Sequence, residues 1–193
     1  MKKGGGAAAR IDDAFGARHK NEPGGKGETR YNRRQAMEGS GMALMTVFHG
    51  SGSQVERPEI RIGRYTKDFG PGFYCTILRE QAERWARRFD TPRVNTYTVR
   101  LLDGLDILEF PDMTEEWLDF IIACRHGEPH NHDVVIGAMA NDQIYNFVSD
   151  YMDGAITREQ FWALAKFKYP THQICLCSDR ALKCLNFVHC EEV

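Results

Sequence analysis

From Ala43 to the C-terminus, short apolar runs alternate with segments of helical period, and Gly, Pro or Asp marks most junctions. Ala43–Phe48 reads as a short buried strand ending at His49-Gly50, and residues 51–71 as a loop rich in Gly, Pro and charge. Phe73–Thr76 is a second short strand. Over Leu78–Phe89, the residues Ala82, Trp85, Ala86 and Phe89 fall at i, i+3, i+4 and i+7, with Arg and Glu elsewhere. That period predicts an amphipathic helix with Trp85 toward the core, although the indole could also border a pocket. Arg93–Leu101 alternates as a strand, and Asp106–Phe110 is another.

Thr114-Glu115-Glu116-Trp117 reads as an N-cap followed by acidic first-turn residues, opening a helix to about Cys124. Asp133–Gly137 is a buried strand, and Gln143–Met152 a helix stopped by Asp153-Gly154. Thr157-Arg158-Glu159-Gln160 matches a capping box and predicts a helix to about Phe167. Ile174–Cys177 is a strand, Ala181–Leu185 a short helix and Asn186–Cys190 a final strand. The chain shows no internal repeat. Short strands interspersed with helices in irregular order predict an α+β fold, not a doubly wound parallel sheet.

Residues 1–41 differ from the rest. They carry Gly4-Gly5-Gly6-Ala7-Ala8-Ala9 and Gly24-Gly25-Lys26-Gly27 with little apolar periodicity. Such a stretch buries too little to offset its ordering entropy, so it is expected to be a disordered basic, Gly-rich tail ahead of one domain at 42–193. Charge follows the same boundary: residues 1–40 carry nine Lys/Arg and five Asp/Glu, and the remainder sixteen and twenty-two. An acidic domain gives no electrostatic reason for tight duplex DNA binding. No apolar run approaches the roughly 18–20 residues of a membrane span, and no apolar segment follows Met1-Lys2-Lys3, so a cytoplasmic protein with no membrane contact is expected. The six cysteines include no C-x-x-C pair and read as small buried hydrophobes, with no metal site.

Chemistry concentrates in three places. In Phe48-His49-Gly50-Ser51, a glycine lets a ligand approach the main chain, while Ser51 and the imidazole can reach sugar hydroxyls. A satisfied strand-end histidine is the plain alternative. In Asp68-Phe69-Gly70-Pro71-Gly72-Phe73-Tyr74, two glycines around a proline enforce a bend. Phe73 and Tyr74 must then point to opposite faces, so one can face a cleft. Tyr74 there can stack on a flat heteroaromatic ring, or be an ordinary sheet aromatic. Arg64 and Lys67, before the bend, could meet a pyrophosphate or be solvated loop charges. Gln173 opens a late strand, where its amide can bridge sugar hydroxyls or bond a neighbouring loop. Asn141-Asp142 reads as a helix N-cap, with Asp142 alternatively a cleft carboxylate.

Together these motifs resemble the ADP-ribosyltransferase superfamily, in its diphtheria-toxin and poly(ADP-ribose) polymerase-like branch. Phe48-His49-Gly50-Ser51 is similar to its H-G-S, Gly70–Tyr74 to its G-x-G-x-Y, and Gln173 lies where that branch has a strand-leading glutamate. The segment of about 44–190 also resembles an uncharacterised bacterial family of the same clan, notably in KDFGPGFY with the helix after it and in DVVIGAMAND. The resemblance implies split antiparallel sheets with flanking helices, and NAD as substrate. It implies that His49 bonds the adenosine ribose, that the Gly50 main chain grips the nicotinamide amide and that Tyr74 stacks on the nicotinamide ring. Gln173 would bond the nicotinamide ribose.

The implied activity is mono-ADP-ribosyl transfer to a protein, nucleic acid or small-molecule acceptor, with NAD hydrolysis as the same chemistry on water. A toxin or effector role and an antitoxin-like partner are part of the same implication. A neutral amide stabilises an oxocarbenium less well than a carboxylate. Gln173 can still orient the ribose by hydrogen bonding, so slower transfer of a single ADP-ribose, or loss of catalysis, is implied, and Asp142 is the candidate to supply the missing charge. The alternative is a non-catalytic NAD or ADP-ribose binding module of the same fold.

Overall fold

A computed structural model describes residues 44–62, 67–140, 142–165 and 171–193. The expected tail at 1–41, the cation Arg64 and Phe167 at the predicted helix end lie outside the described residues. The elements run β1 (Met45–Ser51), β2 (Phe73–Cys75), α1 (Arg79–Ala86), β3 (Arg93–Val99), β4 (Ile107–Glu109) and α2 (Glu115–Arg125). After these come β5 (Val134–Gly137), α3 (Asp142–Met152), α4 (Arg158–Leu164), β6 (Gln173–Leu176), α5 (Asp179–Leu182) and β7 (Leu185–Glu192).

Every predicted strand and helix is present, and the fold is mixed α+β. The local signals explain why. Thr114 Oγ1 accepts from the Trp117 amide at the start of α2, and Thr157 with Gln160 completes a capping box on α4. Gly154 ends α3 with a φ of 72°, a left-handed conformation open to glycine.

The strands form two sheets, ordered β1-β3-β7 and β2-β6-β5-β4. The first is antiparallel throughout. The second departs from the expected antiparallel arrangement at one pair, where β4 and β5 run parallel. The connection between them is α2, and a helical crossover is what parallel neighbours require. Phe48 and Thr76 exchange backbone hydrogen bonds of 2.8 and 2.9 Å, joining the sheets where β1 meets β2.

One core lies between the sheets, with Val47, Phe73, Tyr97, Ile174 and Leu176 buried together. The other fills the space between the second sheet and α2, α3 and α4, around Phe69, Trp117, Ile121 and Phe161. Trp117 is fully buried and donates its indole N–H to the Ala138 carbonyl at 3.0 Å. The helix α1 packs Ala82 and Ala86 against Val94 of β3.

Candidate functional site

A cleft of about 940 Å³ opens where β1 and β2 meet beside α1. Its wall includes His49, Gly50 and Ser51 from β1, Tyr74 from β2 and Gln173 from β6. Three segments far apart in the sequence thus contribute to one concavity, because β2 pairs with β6 and touches β1 through Phe48 and Thr76.

His49 lies within β1, not at its end; the strand continues through Ser51 because all seven of its residues pair with β3. Its Nδ1 is 2.8 Å from the Tyr74 carbonyl oxygen. A carbonyl only accepts, so Nδ1 carries the proton and Nε2 is an acceptor in the neutral ring. Burial holds the imidazole pKa below its ordinary 6.5, opposed by the Tyr74 bond and aided by the nearby Lys67 and Arg61 charges. The ring is therefore neutral at pH 7. Phe73 packs against it, with centroids 4.5 Å apart.

Gly50 serves the fold directly. A Cβ built there would stand 2.1 Å from the Ala82 carbonyl oxygen, so the missing side chain admits the backbone of α1. The close approach that the sequence suggested for a ligand is thus made, on the side where a Cβ would project, by a helix. Ser51 is buried, donating from its Oγ to the Ser53 carbonyl at 2.6 Å and accepting from Asn95 Nδ2 at 3.0 Å. Asn95, fully buried on β3, also accepts from the Val55 amide at 2.7 Å and so pins the loop that follows β1.

Tyr74 has its hydroxyl locked into the hinge. It donates to the Gly70 carbonyl at 2.6 Å and accepts from the Phe69 amide at 3.1 Å, and burial pushes its pKa far up. Gly70 takes a φ of 73°, as the bend demands. At Gly72 a Cβ would meet Cys175 Sγ at 2.3 Å, so this glycine lets β6 pack against the hinge. Lys67 stands with Nζ 4.8 Å from the Tyr74 ring centroid. It covers a face of the ring that the sequence reading offered to a heteroaromatic, and burial lowers its pKa.

Gln173 is buried, and its Nε2 donates to Asp68 Oδ2 at 3.3 Å. Asp68 is buried as well. The Ala140 amide donates to Oδ2 at 2.9 Å, and Arg125 Nη2 donates to Oδ1 at 2.7 Å. The carboxylate next to the amide is therefore Asp68. Asp142 opens α3, and its side chain lies outside what the structure describes. Arg125 also places its guanidinium 4.1 Å from the Tyr145 centroid.

Trp85 corrects the periodicity argument. It is 45% exposed, as is Phe89, and both line the cleft. The buried face of α1 is instead Gln81, Ala82 and Ala86. Glycines and alanines bring α1 so close to β1 that large side chains fit only at its flank.

Arg125, Asn95 and the pairing of Asp68 do not stand out along the chain. One signal was available: Arg125 falls four residues after Ile121 and seven after Leu118, on the buried stripe of α2. A charge at such a position implies a buried partner. No signal marked which carboxylate it would be.

The family model described as "Protein of unknown function (DUF3990)" matches residues 45–187, and the chain belongs to that family. No curated protein and no solved structure matches the chain.

Proposed function

We propose that the protein cleaves NAD at the nicotinamide–ribose bond and transfers the ADP-ribosyl group to an acceptor. The observation that carries this reading is the meeting of His49, Tyr74 and Gln173 at one cleft, three residues whose motifs resemble the ADP-ribosyltransferase pattern. The cleft volume of about 940 Å³ suits a dinucleotide-sized ligand.

In this reading the neutral His49 ring accepts a hydrogen bond from a ribose hydroxyl at Nε2. The Gly50 main chain pairs with the carboxamide, and the nicotinamide ring stacks on Tyr74 once Lys67 swings aside on its flexible stem. The C1′–N bond breaks with its electron pair leaving on the nicotinamide nitrogen. Positive charge grows on the ribose, and an acceptor nucleophile bonds to C1′ and gives up its proton. The acceptor is a protein, nucleic acid or small molecule, and water would make the reaction a hydrolysis.

Gln173 acts as an oriented acceptor. A carboxylate can only accept, so Asp68 holds the amide nitrogen and turns Oε1 the other way. An anion bonded to the amide also draws negative charge onto Oε1. Asp68 thus takes the supporting role first considered for Asp142.

A second reading is a non-catalytic module that binds NAD or ADP-ribose. One observation favours it: Arg125 already pairs with Asp68, which offsets the negative charge behind Gln173. Nicotinamide release from NAD by the full chain separates the two readings. Release that disappears in His49→Ala and Tyr74→Ala, with both variants still melting cooperatively, supports the transferase. A melting temperature raised by NAD without release supports the module. Neither effect overturns both. A toxin or effector role and an antitoxin-like partner extend the same proposal.

A further inference from the structure

A second cleft, of about 370 Å³, shares Arg61 and Lys67 with the first. Its wall includes Gly70 and Pro71 of the hinge, Cys124 of α2, His130 and Cys177. Cys177 immediately follows β6 and is partly exposed, whereas Cys175, within β6, is fully buried. Residues two apart on an extended chain project to the same side. Their sulfur atoms stand 3.2 Å apart. The imidazole of His130 lines the same cleft as Cys177, and its Nε2 is 3.1 Å from the Phe69 carbonyl.

We propose that Cys177 is an oxidation site for a small hydroperoxide entering the second cleft, with Cys175 as the resolving thiol. The Cys177 sulfur attacks the terminal peroxide oxygen. The O–O bond breaks with its electron pair leaving on the other oxygen, which takes a proton from His130 or water. Cys177 becomes a sulfenic acid as the peroxide is reduced to an alcohol or water. The Cys175 sulfur then attacks the sulfenyl sulfur. The hydroxyl leaves as water with the Cys175 proton, and a Cys175–Cys177 disulfide remains. The sulfurs need to approach by only about 1 Å to reach bonding distance.

The surroundings support this chemistry. The Cys175 bond holds the Cys177 thiol down to about 6 against burial, with the nearby His130 and His132 rings adding to it. Burial keeps Cys175 well above its ordinary value, so it remains the proton donor of the pair. The other titratable groups facing the cleft among the described residues are Cys124 from α2 and, on the wall, Arg61, Lys67 and Glu128.

The test uses the reduced full chain and no NAD. Iodoacetamide alkylation of Cys177, followed by peptide mass, is expected to run about two- to threefold faster at pH 7 than at the same residue in urea-unfolded chain, the larger thiolate fraction outweighing the lower nucleophilicity of a low-pKa thiolate. Its rate is expected to fall by half near pH 6. Limiting hydrogen peroxide is expected to remove two hydrogens at Cys175 and Cys177 before Cys190 reacts. In Cys175→Ser, dimedone is expected to label Cys177. Alkylation no faster than in urea, or oxidation of Cys190 first, overturns the proposal. Both of those measurements use the native chain, so they decide the matter even if the variant fails to fold.

Discussion

Gln173 Nε2 stands 3.3 Å from Asp68 Oδ2, and this bond joins the hinge before β2 to the start of β6 across 105 residues of sequence. It orients the amide at the cleft and places an anion directly behind it. Gln173→Glu sets two buried carboxylates against each other, and like charges at that distance repel. The variant is expected to melt lower than the parent at neutral pH, with the gap narrowing on acidification. Thermal melts across pH check it; an unchanged melting temperature would mean that the pair is not formed.

Arg125 is the only cation shown bonded to that carboxylate among the described residues. Arg125→Met leaves Asp68 buried with one backbone donor and the Gln173 amide. Breaking a buried pair from one side costs about 3–5 kcal/mol. Asp68→Leu added to Arg125→Met removes both charges and is expected to recover part of the loss. Urea denaturation of the single and double variants measures the difference.

Gly50 and Gly72 are held by packing. An added methyl would stand 2.1 Å from the Ala82 carbonyl in one case and 2.3 Å from Cys175 Sγ in the other. Gly50→Ala is expected to cost the fold roughly 1–3 kcal/mol, because the backbone of α1 must move. Gly72→Ala meets a side chain as well as the Leu176 carbonyl and should cost a similar amount. A denaturation midpoint equal to the parent's would contradict the close approach of α1.

Trp85 separates cleft from core. A buried tryptophan truncated to alanine costs about 3–5 kcal/mol. Trp85 is 45% exposed, with Arg88 stacked 4.3 Å from its ring. Trp85→Ala is expected to lose under about 1 kcal/mol of stability, while weakening NAD binding about tenfold. Calorimetric titration and urea melts read the two effects separately.

His49 and His172 both have pKa values held below the ordinary 6.5, chiefly by burial. The unfolded chain then binds more protons than the folded one as pH falls below 6.5, so folded stability drops through that window. His130 works the other way: its pKa is raised, first by the neighbouring Cys177, so its contribution is present at low pH and is lost as pH rises. The parent's melting temperature is expected to fall between roughly pH 7 and 5. In His49→Gln the fall should be shallower, and in His130→Gln steeper. Equal slopes in all three proteins would show that these rings do not titrate with folding.

The positions of all seven strands and five helices were legible along the chain, because period, caps and breakers act between near neighbours. Thr114, Thr157 and Gly154 each set an element boundary through contacts within about one helical turn. The grouping of His49, Tyr74 and Gln173 could be suggested only by resemblance to a known pattern; nothing local links them. Trp85 shows where periodicity stops. An apolar stripe identifies a face of α1, but not whether core or cleft covers its flank.

The amino-acid sequence by itself determined which elements occur and in what order, and that the hinge at Gly70 must bend, since those outcomes depend on backbone sterics and on residues a few positions apart. Only the tertiary structure decided that β4 and β5 run parallel, that α1 presses on Gly50, that Asp68 meets both Arg125 and Gln173, and that Cys177 meets His130. These contacts depend on how distant segments are brought together. A buried charge demands a partner, but the demand does not say which residue will answer it.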